Sequence, residues 1–184
     1  MQATVETVGD DEVVIAWTKV NGAYKYDVFF KACGSGKGYT LVNSTKGLSC
    51  EIDGLQKGTS YKAYVKAWRP KGKRKDYIGK PSPMLHFIAG GYSDEFCNPK
   101  EVTVKRSNIT LRKGRTGVIE ASVVGVRKDR TILDHEDLVR YYSSDTRVAQ
   151  VLGNGLFKAV GKGSCEIIVM AVNGVSTRVR VRVK

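Results

Sequence analysis

A period-two alternation of apolar residues recurs along this chain and constrains it more than any other feature. Val13, Ile15 and Trp17 alternate with polar or small neighbours, as do Tyr26, Val28 and Phe30, and then Tyr61, Ala63, Val65 and Ala67. The pattern returns at Ile119, Ala121 and Val123, at Cys165, Ile167, Val169 and Ala171, and at Val179, Val181 and Val183. Successive side chains of a strand point to opposite faces, so each run predicts a strand with one buried face. Turn-forming pairs separate the runs: Asn21-Gly22, Asp53-Gly54, Gly153-Asn154-Gly155 and Asn173-Gly174. No stretch carries a helical period. Short strands at this spacing predict an all-β chain built of sandwiches.

The chain has 184 residues, enough for two sandwiches of about 90 residues each. The segment Ala89–Lys100 (AGGYSDEFCNPK) interrupts the alternation with paired glycines and a proline, and it is the expected linker. It divides the chain into a domain over 1–89, a linker over 90–100 and a domain over 101–184.

A net charge of +13 is shared by both halves and forms no basic tail. Such a field favours anionic partners such as wall polymers, acidic glycans, nucleic acid or a membrane surface, without choosing among them. No apolar run reaches the length of a membrane span, and residues 1–20 contain no signal-peptide core. An exported parent would carry its signal and anchor outside this segment.

The search for chemistry returns little. Cys33, Cys50, Cys97 and Cys165 form no C-x-x-C pair, and four thiols permit three disulfide pairings that sequence does not select. Cys50 and Cys165 read as core residues, while Cys33 and Cys97 lie in loop-like stretches and are the more accessible two. His86 sits in a strand-like MLHFI segment. Asp134, Glu136 and Asp137 flank or follow His135 and are weak candidates for a hard cation, outside any calcium-loop pattern. No nucleophile elbow and no phosphate-binding glycine loop is present, so neither an enzyme nor a cofactor is expected. The last strand alternates its valines with Arg178, Arg180 and Arg182. That stripe discourages edge-to-edge pairing and lacks the interleaved aromatics of a nucleic-acid surface.

Residues 3–89 resemble a fibronectin type III domain. The resemblance rests on Trp17 closing VVIAW, on Tyr26-x-Val28, and on Leu55-x-x-Gly58-Thr59-x-Tyr61. It implies structural roles for Trp17, Tyr26, Leu55 and Tyr61, with the Tyr61 hydroxyl bonding to corner backbone. It also implies a long loop over Arg69–Ser82 between the last two strands, holding Arg69, Lys71, Lys73, Arg74, Lys75 and Tyr77. Residues 101–184 resemble a bacterial immunoglobulin-like domain of group 2. That likeness is carried by Leu111-x-x-Gly114, Tyr142-Ser143-Ser144-Asp145, Val148-Ala149-x-Val151, Gly155-Leu156 and Gly161-x-Gly163, with Tyr142 standing where many members have tryptophan and Arg127–Val139 forming an insert.

Two immunoglobulin-like sandwiches in tandem resemble modules of surface proteins of Clostridia. The resemblance implies a non-catalytic spacer or adhesion module, extracellular, touching anionic wall polymers or host glycans and other domains of its parent. A carbohydrate-binding accessory of a secreted glycosidase is the alternative. It would need exposed aromatics on one face, and Tyr64 and Trp68 alternate away from the core, where Tyr39 or Tyr77 could join them. Virion decoration of a phage is a further alternative. The candidate contact residues are therefore Tyr64, Trp68, Arg69, Lys71, Lys73, Arg74, Lys75 and Tyr77.

Overall fold

A computed structural model describes residues 1–133 and 137–184. Among the described residues the regular structure is all strand apart from one short 3₁₀ turn at Ala89–Gly91. It divides into two compact units. One comprises Met1–Asn98 with Val126–Thr131, the other Pro99–Gly125 with Ile132–Lys184.

The first unit holds β1 (Ala3–Thr7), β2 (Val13–Trp17), β3 (Lys25–Ala32), β4 (Thr40–Thr45), β5 (Ser49–Ile52), β6 (Ser60–Lys71), β7 (Arg74–Tyr77), β8 (Leu85–Ile88) and β9 (Phe96–Cys97). One sheet has the order β1-β2-β5. The other runs β4-β3-β6-β7, with β8 also paired to β6. The alternation read from sequence is what fills the space between them. Val13, Ile15 and Trp17 from one sheet meet Tyr26, Val28, Tyr61, Ala63, Val65, Ala67, Leu85 and Phe87 from the other. Two buried phenols keep their oxygens satisfied by backbone. The Gln56 N–H donates to Tyr61 Oη and the Val20 N–H to Tyr26 Oη, each at 2.9 Å. Leu55 is buried beside the first of these corners.

The segment Val126–Thr131 belongs to this unit by its contacts. The Val126 N–H donates to Asn98 O, and the Thr131 N–H to Glu95 O. The short strand β14 (Thr131–Ile132) pairs with β9. The Cys97 thiol donates toward the carbonyls of Arg127 at 3.5 Å and Arg130 at 3.8 Å. Cys97 is consequently fully buried and is not the accessible thiol expected from its loop-like surroundings. Chain returning some thirty positions later covers it.

The second unit holds β10 (Pro99–Val104), β11 (Asn108–Leu111), β12 (Thr116–Val118), β13 (Ala121–Gly125), β15 (Val139–Ser143), β16 (Ala149–Gly153), β17 (Leu156–Ala159), β18 (Gly163–Ala171) and β19 (Ser176–Val183). A four-stranded sheet β11-β19-β18-β15 faces a three-stranded sheet β12-β17-β16, and β10 pairs with β13. Between them lie Phe157, Ile167, Val169, Val179 and Val181. Gly155, at φ 78°, and Gly161 allow backbone to approach backbone. A Cβ on the first would stand 2.3 Å from Ile119 O and on the second 2.5 Å from Arg147 O. Ser144 and Asp145 build the turn between β15 and β16. Asp145 Oδ1 accepts the Arg147 N–H, and Ser144 Oγ accepts the Glu166 N–H.

Tyr142, to which the resemblance assigns a structural role, lies on the outer side of β15. It is outward and 36% exposed, while its neighbour Tyr141 packs against the core. The pairing of Tyr141 with Val169 and Tyr142 with Ile168 sets that phase. The arginines of β19 point outward, and Arg178 pairs with Glu166 at 3.0 Å.

Replacing Tyr61 with Phe removes the acceptor of the Gln56 N–H and should lower stability by about 1 kcal/mol. Both tryptophans, Trp17 and Trp68, lie in the first unit, so tryptophan fluorescence in a urea titration reads that unit selectively. An unchanged midpoint would show that the corner hydrogen bond contributes nothing.

Candidate ligand-contacting face

Because Tyr26 and Val28 of β3 and Ala63, Val65 and Ala67 of β6 point inward, their neighbours form one outward face. The strands set Lys25 opposite Trp68, Asp27 opposite Lys66, Phe29 opposite Tyr64, and Lys31 opposite Lys62. Asp27 occupies the middle of this face and is 0% exposed. Withdrawing a carboxylate from water costs several kcal/mol unless its lone pairs are filled. Here they are. Oδ1 accepts from Ser44 Oγ at 2.7 Å and Trp68 Nε1 at 2.8 Å. Oδ2 accepts from Lys75 Nζ at 2.7 Å and Tyr77 Oη at 2.8 Å.

Burial pushes the Asp27 carboxyl upward, but hydrogen bonds from Lys75, Ser44, Tyr77 and Trp68 outweigh it and hold the group below its ordinary value. Asp27 is therefore ionised at neutral pH. Burial and the bond to Asp27 push the Tyr77 phenol up to about 12, so it remains a donor. The four donors come from β4, β6 and β7. One charge thus ties the β6–β7 hairpin and the edge strand to the centre of the sheet.

Rings spread from this latch. Tyr24 meets Trp68 edge-on at 5.5 Å, Phe29 stacks on Tyr64 at 4.9 Å, and Tyr39 meets Tyr64 at 5.0 Å. Lysine ammonium groups lie over them. Lys66 Nζ is 5.1 Å from the Tyr77 ring centre, 5.5 Å from Phe29 and 5.6 Å from Tyr64. Lys75 stands 4.8 Å over Trp68, Lys31 4.8 Å over Tyr39, and Lys46 4.9 Å over Tyr24. Each such contact contributes about 0.5–1 kcal/mol at an exposed site. A depression of 220 Å³ beside them is lined by Lys66, Tyr77, Ile78, Gly79 and Pro81.

Of the residues singled out from sequence, the fold brings Tyr64, Trp68, Lys75 and Tyr77 together here. Arg69 instead pairs with Asp76 at 3.0 Å, and Lys71, Lys73 and Arg74 crown the exposed hairpin tip. The long loop expected over Arg69–Ser82 is half strand. β6 continues to Lys71, turns through Gly72 at φ 61°, and returns as β7. Glycine at the first central position of a two-residue hairpin permits that turn. Nothing local in the sequence marks Phe29, Ser44 or Lys66 as part of this face. An acidic residue between the inward Tyr26 and Val28 was the available signal for Asp27. Asp134 and Glu136 lie outside the described residues, and Asp137 is exposed. Among the described residues no group of three His, Cys, Asp or Glu side chains could hold a metal ion.

Comparison with known proteins gives the second half its kinship. Residues 99–181 match the family of the bacterial Ig-like domain (group 2). Domains of this group-2 family occur in extracellular and surface proteins. The first half is similar to solved fibronectin type III domains. A human domain from fibronectin type III domain containing protein 3 is 23% identical, with a TM-score of 0.39, covering 51% of this chain and 86% of that one. The FN5 domain of Drosophila Lar is 18% identical, with a TM-score of 0.39, covering 50% and 94%. The fn3 domain of human contactin 1 is 18% identical, with a TM-score of 0.39, covering 50% and 76%. Among curated proteins, none matches. Group-2 Ig-like and fibronectin type III domains are typical of non-catalytic spacer or adhesion modules. Among the described residues no helix is long and apolar enough to cross a membrane.

Substituting Asp27 with Ala strands four donors. The first unit should lose about 2 kcal/mol, after allowance for the partial exposure of Lys75, with a shift in Trp68 emission. The pH signs are opposite for the two partners. The depressed Asp27 carboxyl contributes stability above the ordinary carboxylate range and loses it as pH falls through its lower folded value. The raised Tyr77 phenol contributes stability below about 10 and loses it as pH climbs toward about 12. Urea midpoints and tyrosinate absorbance across the alkaline range check this. A Tyr77 titrating with the exposed tyrosines would refute the latch.

Proposed function

We propose that this chain is a non-catalytic display and adhesion segment of an exported bacterial protein. Its first domain contacts an anionic glycan or wall polymer through the outward face of β3, β4, β6 and β7. The observation that carries this reading is the set of lysine ammonium groups laid over fixed aromatic rings around Asp27. A neutral sugar stacking on such a ring would have to displace the cation from it. A ligand bearing carboxylate or phosphate can pair with the ammonium while its ring or backbone lies against the aromatic edge. The cations at the hairpin tip and the net charge of +13 extend the attraction along a polymer.

The accessory-module alternative, which calls for open aromatic platforms, is disfavoured by the same lysines. Export and surface placement agree with where group-2 Ig-like domains occur. The two sandwiches serve in this reading as a spacer for whatever the parent protein displays.

Polygalacturonate and dextran distinguish the readings directly. The acidic polymer should bind at low ionic strength and weaken steeply as salt approaches about 0.5 M, where the screening length falls to a few Å, while dextran should not bind. Lys66→Ala should weaken binding of the acidic polymer several-fold, while the first unit, destabilised by about 1–2 kcal/mol through loss of the ring contacts, stays folded without urea. Equal binding of dextran, or affinity indifferent to salt, would overturn the proposal. These are measured by affinity electrophoresis or calorimetry.

A further inference from the structure

The outward face continues past Lys31 and Lys62 to a second chemistry. Cys33 follows the end of β3, where its N–H donates to Ser60 O and prolongs the pairing with β6. Its Sγ lies 3.3 Å from Nε2 of His86. His86 sits on β8 opposite Lys62, which in turn stands opposite Lys31. The imidazole is 0% exposed, so it is packed in place and cannot swing away from the sulfur.

All four cysteines are thiols, and they differ in access. Cys50, Cys97 and Cys165 are buried, whereas Cys33 is half-buried. Burial also pushes the Cys50 and Cys165 thiols up, away from the reactive thiolate. The glycine-rich turn that follows Cys33 is itself uncrowded. Gly34 and Gly36 take φ of 71° and 65°, and a Cβ added at Gly34, Gly36 or Gly38 would meet nothing within 4 Å.

We propose that Cys33 and His86 form a thiol–imidazole pair that makes Cys33 the protein's site of thiol–disulfide exchange with low-molecular-weight disulfides. In the step, the neutral ring, in the tautomer that carries its proton on Nδ1, takes the Sγ proton at Nε2. The sulfur lone pair then attacks one sulfur of the small disulfide. A new S–S bond forms as the old one breaks, and the departing thiolate takes the proton back from the imidazolium. The balance is protein thiol plus small disulfide giving mixed disulfide plus small thiol, with the disulfide as the oxidant. Lys31 on β3 and Lys62 on β6 share the row with His86 and favour negative charge on sulfur, while opposing the cationic ring. The proton moves between two atoms already in contact, so the pair as a whole gains no net charge in its buried setting. The product places a small polar group at one end of the face, away from the core.

Oxidised glutathione at about pH 6.5, where an ordinary thiol is almost wholly protonated, is the probe. The intact chain should acquire one glutathionyl group at Cys33, located by peptide mass mapping. The rate should be several-fold above that of an unstructured peptide spanning residues 30–36. The excess should vanish in denaturant, where the His86 contact is gone. His86→Asn should bring the native rate down to that of the peptide, with tryptophan fluorescence reporting that the first unit is still folded. If that variant fails to fold, the native-to-denatured rate ratio of the wild-type chain decides alone. Reaction at Cys33 no faster than in the peptide, or first labelling at Cys50, Cys97 or Cys165, would overturn the proposal. The binding of acidic polymers is read separately and does not depend on this outcome.

Discussion

A carboxylate on the solvent side of a sheet ordinarily keeps its water. Asp27 has lost all of it, and the arrangement of the first unit's outward face follows from how that loss is compensated. Each oxygen holds two donors, drawn from β4, β6 and β7. Remove the charge and nothing else in the sheet requires Trp68 to point its Nε1–H at β3, or Lys75 and Tyr77 of the hairpin to fold across β6. The hydrophobic core settles which way β3 and β6 face. The buried charge settles what the opposite side looks like.

That division explains the lysines. A strand residue facing outward in the middle of a sheet is free to send a long side chain in any direction, and it usually reaches for water. Here the neighbouring rings are held in place by the latch and by stacking, so Lys66 finds three ring faces within its reach and Lys75 finds a ring and a carboxylate together. The result is positive charge concentrated on a surface that is also aromatic. Scattered surface lysines raise solubility. Lysines collected on ordered rings present spaced cationic points with low conformational freedom, and a polymer with regularly spaced anions can match such points at little further entropic cost.

Much of the fold was legible because alternation is a local property. Val13, Ile15 and Trp17, or Val179, Val181 and Val183, disclose their inward phase within five residues, and the pairing of strands then follows from sandwich geometry. Where two neighbours are chemically alike, the local signal loses its phase. Tyr141 and Tyr142 differ by nothing that a period of two can weigh, and only the pairing with β18 decides which enters the core. The burial of Cys97 is hidden from sequence for a different reason. Its cover comes from Val126–Thr131, chain that lies beyond four intervening strands, and no local pattern announces it. The hairpin through Gly72 was concealed by charge, since a run of arginine and lysine reads as a solvated loop although paired backbone tolerates such side chains at an exposed edge.

The candidate face was legible only in its aromatic half. Tyr64 and Trp68 stand out because an aromatic on an outward position lacks an obvious reason to be there. Asp27, Lys66 and Cys33 do not stand out, because aspartate, lysine and a loop cysteine all have an ordinary reason to be at a surface. What gives them meaning is the row of residues opposite, and the register of β3 against β6 and of β6 against β8 is a non-local quantity. The same register that sets Asp27 across from Lys66 carries the row onward through Lys31 and Lys62 to His86, with Cys33 at the adjoining end of β3. Two antiparallel alignments sharing β6 therefore determine the two ends of the face. A slip of one residue would turn Asp27 and His86 into the core and expel Val28 and Phe87. The requirement to keep that apolar pair inside is what holds the polar chemistry outside in its present order.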